Sequence, residues 1–223
     1  MTDAKLDGQR ASARSDVAPF YVMEIFAAAE RRRSAGLEVF NLAAGQPSTA
    51  APAGVQRAAV AALDSDKIGY TAALGIPELR EAIVEHTRRW YGIEVPVKNV
   101  VVTTGSSGGF LMAFLASFDV GDVVAMTRPG YPAYRNILAS LGCVVREIDC
   151  GAAQRFVPSV AQLEAMDPRP SGLILASPAN PTGAMVDDTT LAEIVGWCDA
   201  RGVRLISDEL YHGISYAHPA ASA

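Results

Sequence analysis

Residues 172–208 read GLILASPANPTGAMVDDTTLAEIVGWCDARGVRLISD. Two short apolar runs, Gly172–Ser177 and Val203–Ser207, flank a loop and a helical pattern from Thr190 to Ala200. Runs that are apolar throughout, rather than at alternate positions, suit strands covered on both faces, and a helical crossover between two of them makes them parallel. The alternation extends upstream. NVVVTT (99–104), DVVAMT (122–127) and CVVREI (143–148) are further β-branched runs, separated by helical patterns centred on Phe110–Phe118, Ala133–Leu141 and Val160–Met166. The expected fold class is α/β, a three-layer, mostly parallel sheet.

Ahead of these strands the chain reads as helices and loops. Residues 16–36, DVAPFYVMEIFAAAERRRSAG, look helical, with Asp16 placed to cap and Gly36 to stop the helix. Residues 37–47 read as a short extended segment ending in a turn. Residues 52–63 form a second helix with Pro52 near its first turn, and 77–92 a third.

Half of the 223 residues are hydrophobic, 19% are charged, and the net charge is −5, which is enough apolar mass for a large core and no electrostatic reason to bind nucleic acid. Arg31–Arg33 suits a solvated helix end. Cys143, Cys150 and Cys198 show no CxxC spacing, so they read as core or surface thiols of a reducing compartment. The N-terminus has no apolar leader pattern and FLMAFLASF (110–118) is too short to span a bilayer, so a cytoplasmic protein is expected.

In open α/β sheets ligands sit beyond the carboxyl ends of the strands. Four of the five expected ends are chemically distinctive. NVVVTT runs into GSSGGF, where Gly105, Ser106 and Ser107 form either a plain tight turn or an anion cradle at a helix start. The pattern is not GxGxxG, which disfavours a dinucleotide. DVVAMT runs into RPGYPAY, where Tyr131 is a half-buried turn residue or a flat face for an aromatic ligand. GLILAS runs into PANPTG, where Asn180 is loop punctuation or a hydrogen-bond donor. VRLIS runs into Asp208, a helix cap or the counter-ion of a protonated ligand nitrogen. One ligand that uses all four functional readings is pyridoxal 5'-phosphate (PLP).

These motifs, with NLAAGQPS (41–48), GYTAALGIPELREAI (69–83) and ISDELYHG (206–213), resemble in content and order the class I and II aminotransferases of PLP fold type I, in particular the aspartate aminotransferase-like branch. The resemblance runs from about Pro19 to the last residue. It implies that Gly105, Ser106 and Ser107 hold the cofactor phosphate, Tyr131 stacks on the pyridine ring, and Asp208 keeps the ring nitrogen protonated. Asn180 and Tyr211 would bind the phenolic oxygen, and Asn180 and Gly45 would meet the substrate. Tyr70 would reach the phosphate of a neighbouring subunit, implying a homodimer. Tyr134 sits where the family often places a support for the aspartate, with packing as the other reading, and His212 and Glu209 are expected to be solvated or supporting residues.

The resemblance also divides the chain into an N-terminal arm, residues 1–46, and a large PLP-binding domain, 47–223, that is incomplete at its C-terminus. The Schiff-base lysine of the family matches none of Lys5, Lys67 and Lys98, so the chain is expected to be the N-terminal portion of an aminotransferase acting on an amino acid and a 2-oxo acid. Alone it would turn over no substrate, bind PLP weakly at best and fold poorly, because strands expected between VRLIS and NVVVTT are supplied later in the family. The alternatives are a fold type I lyase or an aminocyclopropane carboxylate synthase-like enzyme, and a non-catalytic degenerate fragment.

Overall fold

The computed structural model describes residues 10–43, 45, 49–65, 68–216 and 219–223. Lys5, Lys67 and part of the 41–48 motif lie outside the described residues. The chain divides into two compact units, Met1–Ala18 with His86–Glu94 and Val102–Ala223, and Pro19–Glu85 with Val95–Val101.

The first unit holds the sheet. Strands β1 (Val123–Arg128), β2 (Val144–Asp149), β3 (Gly172–Ala176) and β4 (Arg204–Asp208) are all parallel, in the order β2-β1-β3-β4. Side chains alternate across each strand, and the two faces have different covers. Val124 and Met126 of β1 and Ile174 of β3 pack with Phe110, Phe114 and Phe118 of helix α4 (Gly105–Ser117) and its C-cap, and with Tyr134 and Leu138 of α5 (Pro132–Ser140). Ala125, Leu173 and Leu175 face the other way, onto Leu163 of α6 (Val160–Glu164) and Leu191, Ile194 and Trp197 of α7 (Asp188–Arg201). The result is the expected three-layer α/β architecture.

Local chemistry sets the ends of α7. Asp187 accepts from Thr190 N at 3.0 Å at the start, and Gly202, at φ 65°, closes the end in the left-handed conformation. Gly172 is constrained by packing, since a Cβ there would stand 2.3 Å from the Phe118 ring. All three cysteines are buried, and burial pushes the Cys150 and Cys198 thiols up to about 11, so both are neutral packing groups at ordinary pH.

Two expectations are corrected. NVVVTT is not a strand: Val97–Asn99 is a 3-10 turn, and residues 100–104 join no ladder among the described residues. Val100 is extended and buried, but a strand needs a hydrogen-bonded neighbour, and β-branched composition supplies only the conformational preference. Asp16 caps no long helix. It follows a 3-10 turn, Ala13–Ser15, and helix α1 (Tyr21–Ser34) begins only after Pro19 and Phe20, with Phe20 at its cap position.

The second unit carries α1, α2 (Ala53–Asp64) and the first part of α3 (Pro77–Tyr91). Gly36, at φ 74°, stops α1, and Pro52 sits at the cap of α2, both as expected. Arg31–Arg33 occupy the exposed last turn of α1. Arg80 of α3 donates to the carbonyls of Val100 (2.9 Å) and Val97 (2.6 Å), tying the extended segment to the helix.

Candidate functional site

From β1 the chain moves through α5 to β2 on one side; from β3 it moves through α7 to β4 on the other. The carboxyl ends of β1 and β3 therefore flank a topological switch point, where open α/β sheets bind ligands.

Asp208 ends β4, opposite Ala176 of β3, and its carbonyl accepts from Ser177 N at 3.1 Å. Its carboxylate is half-buried and held from two sides. The Tyr134 hydroxyl donates to Oδ2, and the Leu210 N–H donates to Oδ1 at 3.1 Å. The helix-cap reading of Asp208 is thereby set aside: it closes a turn, and no helix follows it among the described residues.

Tyr134 is buried in the first turn of α5, which Pro132 starts. Its ring meets Phe110 edge-on at 5.0 Å and Tyr131 at 5.4 Å. Burial first, then the bond to Asp208, pushes the Tyr134 hydroxyl well above its ordinary value near 10, and nearby Tyr211 adds to the effect. The phenol therefore remains a donor at any physiological pH. Because the folded value is raised, this group contributes stability that is complete below about pH 10 and is lost as pH climbs through the folded value.

Helix α4 opens at Gly105, whose φ of 75° strains any residue with a Cβ. Thr104, at the cap position, makes no side-chain hydrogen bond to the first turn. The start of this 13-residue helix thus presents backbone N–H groups and the hydroxyls of half-buried Ser106 and exposed Ser107, with the positive end of the helix dipole behind them. Phe110, about one turn further, is the residue that touches Tyr134.

Asn180 is half-buried in the loop after β3, which Ala179 N–Ala184 O (2.9 Å) and Gly183 N–Ala179 O (2.7 Å) close and the bond from Val186 N to Ser177 Oγ (3.1 Å) anchors. The structure therefore connects Tyr131, Tyr134 and Asp208 directly, and attaches the Asn180 loop through Ser177 and the Gly105–Ser107 helix start through Phe110, with Tyr211 in the turn after Asp208. Gly45 and Tyr70 belong to the second unit, where both are exposed, as does Lys98. Among the described residues nothing lies within 4 Å of where a Gly45 Cβ would stand.

Tyr134 is both a packing residue and the partner of Asp208. The YPAY spacing carried that signal, since residues three apart share one helix face. The solvated reading of His212 is corrected: its side chain is 7% exposed and bonds to Tyr91 at 2.8 Å. Glu209 accepts from Ser207 Oγ (2.8 Å), Ser222 Oγ (2.8 Å) and Ala223 N (2.9 Å). Among the described residues no group of acidic, histidine and cysteine side chains could hold a metal ion, and no helix is long and apolar enough to cross a membrane.

The sequence model of the family described as Aminotransferase class I and II matches residues 38–223. The chain belongs to this family. Among its relatives is the valine–pyruvate aminotransferase of Mycobacterium tuberculosis, 57% identical over 93% of this chain and 53% of the relative. The aspartate/prephenate aminotransferase of Thermus thermophilus is 33% identical over 89% and 52%. Solved structures agree. An aminotransferase from Mycobacterium tuberculosis superposes with TM-score 0.91 at 53% identity, over 96% of this chain and 56% of that one. The Thermus thermophilus aspartate aminotransferase with maleate also reaches 0.91, at 32% identity and the same coverage. The chain spans about half the length of the relatives it matches.

Proposed function

We propose that the protein carrying this chain is a PLP-dependent aminotransferase that moves an amino group from an amino acid to a 2-oxo acid. The observation that carries the reading is the anchored carboxylate of Asp208, half-buried at the carboxyl edge of the sheet, connected to two tyrosine rings and, through Phe110, to an uncapped helix start. That combination fits a planar, cationic, phosphorylated ligand. When bound, PLP supplies a pyridine ring that draws electrons from the substrate α-carbon. Asp208 faces the ring nitrogen and keeps a proton on it. Tyr131 lies against the ring, Asn180 and Tyr211 orient its phenolic oxygen, and Gly105, Ser106 and Ser107 bind its phosphate. Asn180 and Gly45 meet the substrate, and Tyr70 serves the partner subunit's phosphate site.

In the same reading the protein is a cytoplasmic homodimer, residues 1–46 are its N-terminal arm and residues 47–223 part of its large domain. Exposed apolar side chains on α1 (Tyr21, Met23, Ile25) and α2 (Val55, Val60, Leu63) support a further protein surface over these helices. Strand β4, less buried than β3 and lying at the sheet edge, supports addition of further strands there, and the lysine that anchors the cofactor comes from the same additional chain.

The name of the 57% identical relative makes valine and pyruvate the first pair to test. With the full-length protein and PLP, alanine and the 2-oxo acid of valine should appear in equal amounts; release of ammonia and no alanine would favour a lyase. Tyr134→Phe should weaken PLP binding by about tenfold to a hundredfold, the equivalent of one hydrogen bond to a charged group, while keeping the fold. The same variant should blunt the loss of stability above about pH 10, which urea titrations at pH 8 and pH 10.5 would read.

A further inference from the structure

The turn that follows Asp208 is held by two residues that the cofactor reading does not use. Tyr91, the last residue of α3, hydrogen-bonds His212 Nδ1 at 2.8 Å, with ring centroids 5.5 Å apart. Both belong to the first unit. On its other side Nδ1 stands 3.7 Å from Glu209 Oε2, and Ser207 Oγ holds the opposite oxygen of that carboxylate at 2.8 Å. Between these anchors the backbone closes on itself, His212 N to Glu209 O and Ile214 N to Tyr211 O, both at 3.1 Å. Inside that turn lies the Leu210 N–H that sets Oδ1 of Asp208.

Burial first, then the nearby Glu209 carboxylate, pushes the Tyr91 hydroxyl above its ordinary value, so it stays protonated. The bond to Nδ1 forms in either ring tautomer, and the other ring nitrogen, Nε2, is buried and has no hydrogen-bond partner among the described residues. An apolar ring would fill the same space and remove the unpartnered Nε2, but would leave the Tyr91 hydroxyl without this partner. The feature of His212 that such a ring could not replace is its hydrogen bond to Tyr91.

We propose that Tyr91 and His212 are positioning residues: their hydrogen bond clamps the 209–214 turn and, through the Leu210 N–H, fixes the direction in which Asp208 points. The clamp rests on the reading of Asp208 as the counter-ion of the cofactor.

The test uses apo full-length protein carrying Tyr91→Phe, His212→Leu, both together, or His212→Asn, which keeps an acceptor near the position of Nδ1. Two quantities are read, hydrogen exchange at the Leu210 amide and the affinity for PLP. Each of the first two variants should speed Leu210 exchange and weaken PLP binding by about tenfold, the equivalent of one hydrogen bond. The double variant should match the singles to within about twofold, because the two residues act as one unit. His212→Asn should recover most of both losses. Unchanged Leu210 exchange, or losses that multiply in the double variant, would overturn the clamp. Asp208→Asn separates the two ideas. If it weakens PLP binding and Tyr91→Phe does not, the clamp fails and the cofactor reading stands. If it leaves binding unchanged while Tyr91→Phe speeds Leu210 exchange, the turn is clamped as proposed and the counter-ion role is lost.

Discussion

Asp208→Asn should lower the affinity of the full-length protein for PLP by about a hundredfold or more, read by fluorescence titration of the apo protein. The substitution keeps the shape of the side chain and one of its two acceptor oxygens, puts an NH2 donor in place of the other, and removes the charge. Separating a buried ion pair by neutralising one partner costs about 3–5 kcal/mol, and a half-buried site such as this belongs at the lower end, about 3 kcal/mol. At about 1.4 kcal/mol per factor of ten, that corresponds to two decades. The pyridine nitrogen should lose its proton in the same variant, so the spectrum of the bound cofactor should shift with pH in a range where the parent is constant. An affinity within about threefold of the parent would remove Asp208 from the site, since a loss of less than about 1 kcal/mol is what an exposed ion pair gives.

Phe114→Ala should be the most damaging of the simple core truncations, at about 3–5 kcal/mol in urea unfolding. Phe114 is fully buried, lies 5.9 Å from the Phe110 ring and 6.1 Å from the Phe118 ring, and packs in the cluster formed with Val124, Met126 and Ile174. With total stabilities of about 5–15 kcal/mol for a domain, such a loss is a large share of the whole. It should also reach the site, because α4 carries Gly105, Ser106 and Ser107 at its start and Phe110 against Tyr134. Leu115, on the exposed side of the same helix, is the control: Leu115→Ala should change stability by less than about 0.5 kcal/mol. Equal losses at the two positions would mean that the outer face of α4 is covered in solution.

The contrast between these two residues shows where the sequence stops being informative. From Phe110 to its C-cap Phe118 helix α4 reads FLMAFLASF, apolar nearly all round, so periodicity alone does not say which side meets the sheet. The three phenylalanines are buried against the sheet, and Leu111, Met112 and Leu115 are exposed. Asp208 was legible because a carboxylate closing an apolar run has few inexpensive roles. Tyr134 was half legible, from its spacing to Tyr131. His212 was not, because its partner Tyr91 is 121 positions away and nothing in ISDELYHG points to it.

By itself the sequence determined the alternation of short apolar runs with helices, four of the five runs being strands, hence a parallel sheet with covers on both faces, and the set of polar residues at the ends of the runs. Those features depend on neighbours a few positions apart, through side-chain period and turn chemistry. Only the tertiary structure decided that residues 100–104 join no ladder among the described residues, and that Asp208 is held by Tyr134 and Leu210. Pairing and hydrogen bonding across 74 positions, as between Tyr134 and Asp208, depend on which surfaces the packed layers bring together, and local preference carries no record of that.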